Sequence, residues 1–88
     1  MNLTNGQKED LRTAALAALV VRHPAALTPR QLGNAVKKDL DFLFEEAELV
    51  AALEILRGLK FAEWILNELG GTKYWRATSE GVLHQERS

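Results

Sequence analysis

Apolar residues in this chain recur first at helical spacing and then, beyond Gly58, in alternation. From Asn5 to Arg22, Leu11, Ala15, Ala18 and Leu19 fall at i, i+4, i+7 and i+8, forming one stripe of a helix that Thr4 or Asn5 can cap. His23 and Pro24 end it. Leu16, Val20 and Val21 lie off the stripe, so this helix either sits deep in the core or offers a second apolar surface, and that surplus predicts a homodimer through helix one.

A second helix is expected over 29–39. Thr28 can cap it, Pro29 suits its first position, Gln31 can reach back to the cap, and Leu27 with Leu32 can form a hydrophobic staple. Leu32, Ala35, Val36 and Leu40 face inward, leaving Arg30, Lys37 and Lys38 toward solvent. Phe42 and Phe44 lie in the connection that follows and read as core plugs, because a small domain needs their apolar area. The third helix, 45–57, carries Leu49, Ala52, Leu53 and Leu56 on one face, with Gly58 as its stop.

Two alternating runs, Ala62 to Leu69 and Thr72 to Thr78, then flank Gly70-Gly71, a strong hairpin signal because both glycines tolerate positive φ. With those two residues alone as the loop, Leu69 faces Thr72, Glu68 faces Lys73, Leu66 faces Trp75 and Trp64 faces Ala77. The core face is then Trp64, Leu66, Trp75 and Ala77, and the outer face Ile65, Asn67, Tyr74 and Arg76. Thr78 caps a last helix, 79–87, in which Val82 and Leu83 can pack back and whose end should fray. The fold class predicted is mainly α with a small antiparallel hairpin (α+β), in a single domain over residues 1–88.

Composition narrows the function. Eighty-eight residues bury only about 60–65% of the surface of the unfolded chain, so one small core must serve. Cysteine is absent, which removes disulfides and thiolate ligands or nucleophiles. The longest apolar run, Ala14 to Val21, is eight residues, against the roughly 20 needed to span a bilayer. No basic leader opens the chain, so a soluble, cytoplasmic protein with no membrane partner is expected. His23 and His84 have no neighbouring ligands at metal spacing and no adjacent nucleophile, so neither an enzyme nor a bound metal or cofactor is expected.

Three fragments, Leu27-Thr28-Pro29-Arg30-Gln31-Leu32, Leu53-Glu54-Ile55-Leu56-Arg57-Gly58-Leu59 and Tyr74-Trp75-Arg76-Ala77-Thr78-Ser79-Glu80-Gly81, stand in that order. They resemble the second-helix start, the third-helix end and the return strand of the winged helix-turn-helix superfamily, as found in small bacterial and phage regulators. The resemblance implies three helices, a hairpin wing and a short terminal helix. It further implies double-stranded DNA as partner, with the third helix in the major groove and the wing on the backbone or minor groove.

Charge sets this chain apart from that pattern. The net charge is −1, with 11 basic and 12 acidic residues, and from Asp39 to Leu56 there are six acids (Asp39, Asp41, Glu45, Glu46, Glu48 and Glu54) and no Lys or Arg. Carboxylates against a polyanion work against the phosphate contacts that supply most of the affinity for DNA. The candidate DNA contacts therefore come from elsewhere: Arg30, Lys37 and Lys38 on helix two, Arg57 and Lys60 after helix three, and Lys73 and Arg76 on the wing. The alternative is a protein partner meeting acidic helix three through Glu48 and Glu54, or the hairpin face through Ile65 and Tyr74. Glu45, Glu46 and Glu48 also fit the acidic first turn of a helix, favourable at its positive end.

Overall fold

The computed structural model describes residues 3–67 and 69–87. In chain order the elements are α1 (Asn5–Arg22), α2 (Pro29–Val36) continuing into a 3-10 turn (Lys37–Asp39), α3 (Glu46–Gly58), β1 (Ala62–Leu66), β2 (Lys73–Ala77) and α4 (Ser79–Glu86).

α1 is the central element, touching α2, α3, β2 and α4. Thr4 caps it by a reciprocal pair: its hydroxyl accepts from the Gln7 N–H at 3.1 Å while the Gln7 amide oxygen accepts from the Thr4 N–H at 3.0 Å. Contact on so many sides explains the broad apolar face. Leu16 is buried beside Leu11, Ala15, Ala18 and Leu19, and Val20 packs against the core. Of the three residues expected to offer a dimer surface, only Val21 is exposed, at 79%. The chain itself covers the other two.

The same capping box recurs at α2, where Thr28 Oγ1 accepts from the Gln31 N–H at 3.2 Å and Gln31 Oε1 from the Thr28 N–H at 3.0 Å. Residues 37–39 tighten to 3-10 geometry, and Leu40 is already extended. From there Leu40, Phe42 and Phe44 turn toward the core while Asp41, Leu43 and Glu45 face water. The two phenylalanines thus plug the core from an extended segment, a period-two pattern within what the sequence presents as a linker.

Gly58, expected as the breaker after α3, is instead its last helical residue. The stop is Lys60, in the left-handed region at φ 68°. Its N–H donates to the Arg57 carbonyl at 2.9 Å and the Phe61 N–H to the Leu56 carbonyl at 2.9 Å, the paired bonds of a Schellman motif with lysine where glycine is usual. An L-residue there costs about 1–2 kcal/mol. Lys60→Gly should accordingly raise the stability by about 1 kcal/mol, read as a higher denaturant midpoint; a lowered midpoint would contradict this description of the turn.

The strands pair antiparallel as Ala62 with Ala77, Glu63 with Arg76, Trp64 with Trp75, Ile65 with Tyr74 and Leu66 with Lys73. This register is shifted by two residues from the one expected for a two-residue loop. The cause is a longer connection. Asn67 N–H donates to the Thr72 carbonyl at 2.8 Å, Gly71 N–H closes on the Asn67 carbonyl at 2.7 Å, and only Gly71 takes positive φ, at 67°. Lys73 therefore faces Leu66; the expected Glu68 pairing lies outside the described residues. A shift of two preserves the faces, so Ala62, Trp75 and Ala77 are buried as a set and Ile65, Tyr74 and Arg76 share the outer side. Leu66 was expected in the core but is 50% exposed, because the ribbon runs out past the helices as a wing. Leu27 adds a short third strand: it exchanges backbone bonds with Trp75 at 2.7 and 2.6 Å.

Thr78 caps α4 by accepting from the Gly81 N–H at 3.0 Å. Val82 packs against the core, whereas Leu83, also expected to pack back, is 49% exposed.

Candidate nucleic-acid interface

The cations singled out in the sequence are spread over α2 and its 3-10 extension, the end of α3 and the hairpin. Arg30 is exposed in the first turn of α2. Lys37 and Lys38 are exposed at the far end of that helix, roughly 10 Å away at 1.5 Å per residue. They share their turn with Asp39, and Asp39, Asp41 and Asp10 line one depression against α1. Arg57 and Lys60 sit together after α3, but around a depression that also holds Glu63 and Glu80.

Two of the arginines are engaged. Arg57 Nε donates to Glu54 Oε1 at 2.8 Å, and Arg76 Nε to Glu63 Oε2 at 2.5 Å across the hairpin. Both pairs are partly open to water, so they stabilise little. Their effect is on availability, since each arginine already has a carboxylate beside it. Lys73 is exposed, with its ammonium 4.5 Å from the centroid of the Trp64 ring. Among the described residues, Arg30, Lys37, Lys38, Lys60 and Lys73 are in no ion pair.

The Leu27–Trp75 bridge has a direct geometric consequence. Arg30 follows Leu27 by three residues and Lys73 precedes Trp75 by two, so the antiparallel bridge brings the start of α2 and the outer half of β2 to the same edge of the sheet. The sequence carried no signal for this beyond Leu27 lying just before a helix cap, because a single-residue strand has no alternation to read.

The acids of α3 have local roles. Glu48 Oε1 accepts from the Glu45 N–H at 2.9 Å, closing the first turn, and Glu46 and Glu48 lie at the positive end of the helix. Glu54 holds Arg57. Of the alternative hairpin patch, Ile65 is 44% exposed and faces half-buried Tyr74. The histidines are tied into the fold more than the sequence indicates: His23 Nδ1 lies 3.1 Å from the Ala77 carbonyl oxygen, and the His84 ring stacks on Phe61 at 4.3 Å. Among the described residues, no group of three or more His, Asp or Glu side chains could hold a metal ion. No helix there is long and apolar enough to cross a membrane.

Three packed helices with a bridged hairpin after the third and a helix returning behind it give this chain a winged helix-turn-helix fold. Neither a family model nor a curated protein matches the chain. Solved structures do. A PadR family transcription regulator from Clostridium difficile superposes with TM-score 0.72 at 18% identity, over 88% of this chain and 80% of that one. A PadR-like transcriptional regulator from Bacillus cereus gives 0.72 at 20% identity, over 96% and 82%. The DNA complex of MepR from Staphylococcus aureus gives 0.69 at 17% identity, over 97% of this chain but only 60% of MepR. At such identities the likeness is one of fold.

Proposed function

We propose that this chain is a non-enzymatic, cytoplasmic winged-helix module of bacterial or phage type that binds double-stranded DNA and regulates transcription, gripping phosphates with the start of α2 and the wing. The observation that carries the reading is the Leu27–Trp75 bridge, which joins the elements bearing Arg30 and Lys73, two exposed cations without an ion-pair partner among the described residues. Lys37, Lys38 and Lys60 extend the contact to further phosphates. Arg57 and Arg76 join it by exchanging Glu54 and Glu63 for phosphate oxygens, which a guanidinium binds in the same charge-assisted, bidentate manner as a carboxylate. α3 stays shallow, held off by Glu46 and Glu54. Reading two half-sites calls for a homodimer, and Val21 is the apolar contact that α1 still offers to a second copy. A mixed-sequence duplex added at low salt should shift the amide resonances of Arg30, Gln31, Lys73 and Tyr74; shifts confined to α1 or α4 would contradict the assignment.

A second reading, a protein-interaction module, is favoured by exposed Ile65 opposite Tyr74 on the outer face of the hairpin. Its acidic half is weaker, because Glu48 and Glu54 already satisfy groups of α3 itself. A protein partner would then shift Ile65 and Tyr74 and leave Arg30 unmoved.

A further inference from the structure

Between the first half of α1 and the middle of α3 runs a groove of about 360 Å³. Its floor is built: Leu11 is 1% exposed, Ala52 5% and Leu3 7%. Small side chains keep it open, since Ala47, Ala51 and Ala52 stand where longer ones would fill it. At its lip Ile55 is 47% exposed, an apolar side chain that an occupant would remove from water. Lys8 and Arg12, one turn apart on α1, stand at the opposite rim. Neither is in an ion pair among the described residues. Among the described lining residues the two cations face one carboxylate, Glu48, whose Oε1 also accepts from the Glu45 N–H at 2.9 Å, so positive charge is in excess at the mouth.

We propose that this groove binds a small amphiphilic monoanion, its carboxylate held by Lys8 and Arg12 and its hydrocarbon body lying on Leu11 and Ala51 against Ile55. At the roughly 30 Å³ that a liquid water occupies, the volume admits about a dozen heavy atoms, the scale of a medium-chain fatty acid or an aryl carboxylate. An uncharged apolar molecule of the same size would leave both cations without a partner. A larger lipid would exceed the groove. The inference is independent of DNA binding, because the lining of the groove includes no residue of α2 or the hairpin and its occupancy can be read without a nucleic acid.

The test is amide-resonance titration of the intact chain with octanoate below its micelle concentration, with octanol as the uncharged control. Octanoate should give saturable shifts at Leu3, Lys8, Arg12, Ala51 and Ile55. Octanol, and octanoate with the Lys8→Gln, Arg12→Gln variant, should each bind roughly tenfold more weakly, the cost of losing a charged hydrogen bond. Ala51→Leu, at an exposed position, should fill the groove and abolish the shifts while leaving the unfolding midpoint unchanged. The proposal is overturned if octanol binds as tightly as octanoate, if Ala51→Leu leaves the shifts intact, or if no saturable binding occurs at millimolar ligand. A dimer in sedimentation that Ala51→Leu dissociates would likewise overturn it, assigning the groove to a second copy of the chain.

Discussion

Gly81→Ala should lower the melting temperature by more than about 10 °C, at about 4–8 °C per kcal/mol for a domain of this size. A Cβ at Gly81 would lie 2.1 Å from the Phe61 carbonyl oxygen and 3.0 Å from its carbonyl carbon. Those are backbone atoms with little freedom to yield. The Phe61 oxygen accepts from the Thr78 N–H at 3.0 Å, and the Phe61 N–H completes the end of α3. The first turn of α4 would have to lift away instead, giving up the Thr78–Gly81 cap, the packing of Val82 and the stacking of His84 on Phe61. The cost belongs at the upper end of the roughly 1–3 kcal/mol typical of overpacking. Thermal unfolding followed by circular dichroism reads it directly, and an unchanged transition would mean that α4 is not seated on Phe61.

Reversing charge on α3 should have the largest effect on binding. Glu46 and Glu54 are exposed and two turns apart on one side of the helix. Replacing both with lysine turns two acids into two bases, and it also releases Arg57, whose described carboxylate partner is Glu54. Glu48 is better left alone, because its carboxylate closes the first turn of α3. If the fold keeps the docking geometry of its class, the double variant should bind duplex DNA more tightly, and its salt dependence should steepen by roughly two units, about 0.9 per added phosphate contact. Equal affinities for variant and wild type, measured by fluorescence anisotropy, would show that α3 does not approach DNA even when its charge allows it.

The helices and their caps were legible because their determinants are local. Thr28 and Gln31, or Leu49, Ala52, Leu53 and Leu56, declare themselves within one or two turns of chain. The hairpin was legible in kind and in its faces, but not in register, because Gly70 and Gly71 both permit positive φ and only backbone bonding decides that Gly71 alone uses it. The stop of α3 is hidden for a related reason: Gly58 is the obvious breaker, yet Lys60 accepts the left-handed turn. At the candidate site, residue type was readable but pairing was not. Arg57 lies three residues from Glu54, a local spacing that permits the pair within one helical turn, whereas Arg76 meets Glu63 only once the hairpin closes. Leu16 offered no clue either, since its burial depends on the end of α3 and on α4 folding back over α1.

The most direct test is the affinity for a mixed-sequence duplex measured across a salt series, for the wild type and for the variant carrying Arg30→Ala and Lys73→Ala. If Arg30, Lys37, Lys38, Arg57, Lys60, Lys73 and Arg76 each meet a phosphate, the logarithm of the association constant should fall against the logarithm of salt concentration with a slope near about −6. The double variant should flatten that slope by about two units. No detectable binding at low salt, or the same slope in both proteins, would contradict the claim that the wing and the start of α2 form the DNA-binding surface.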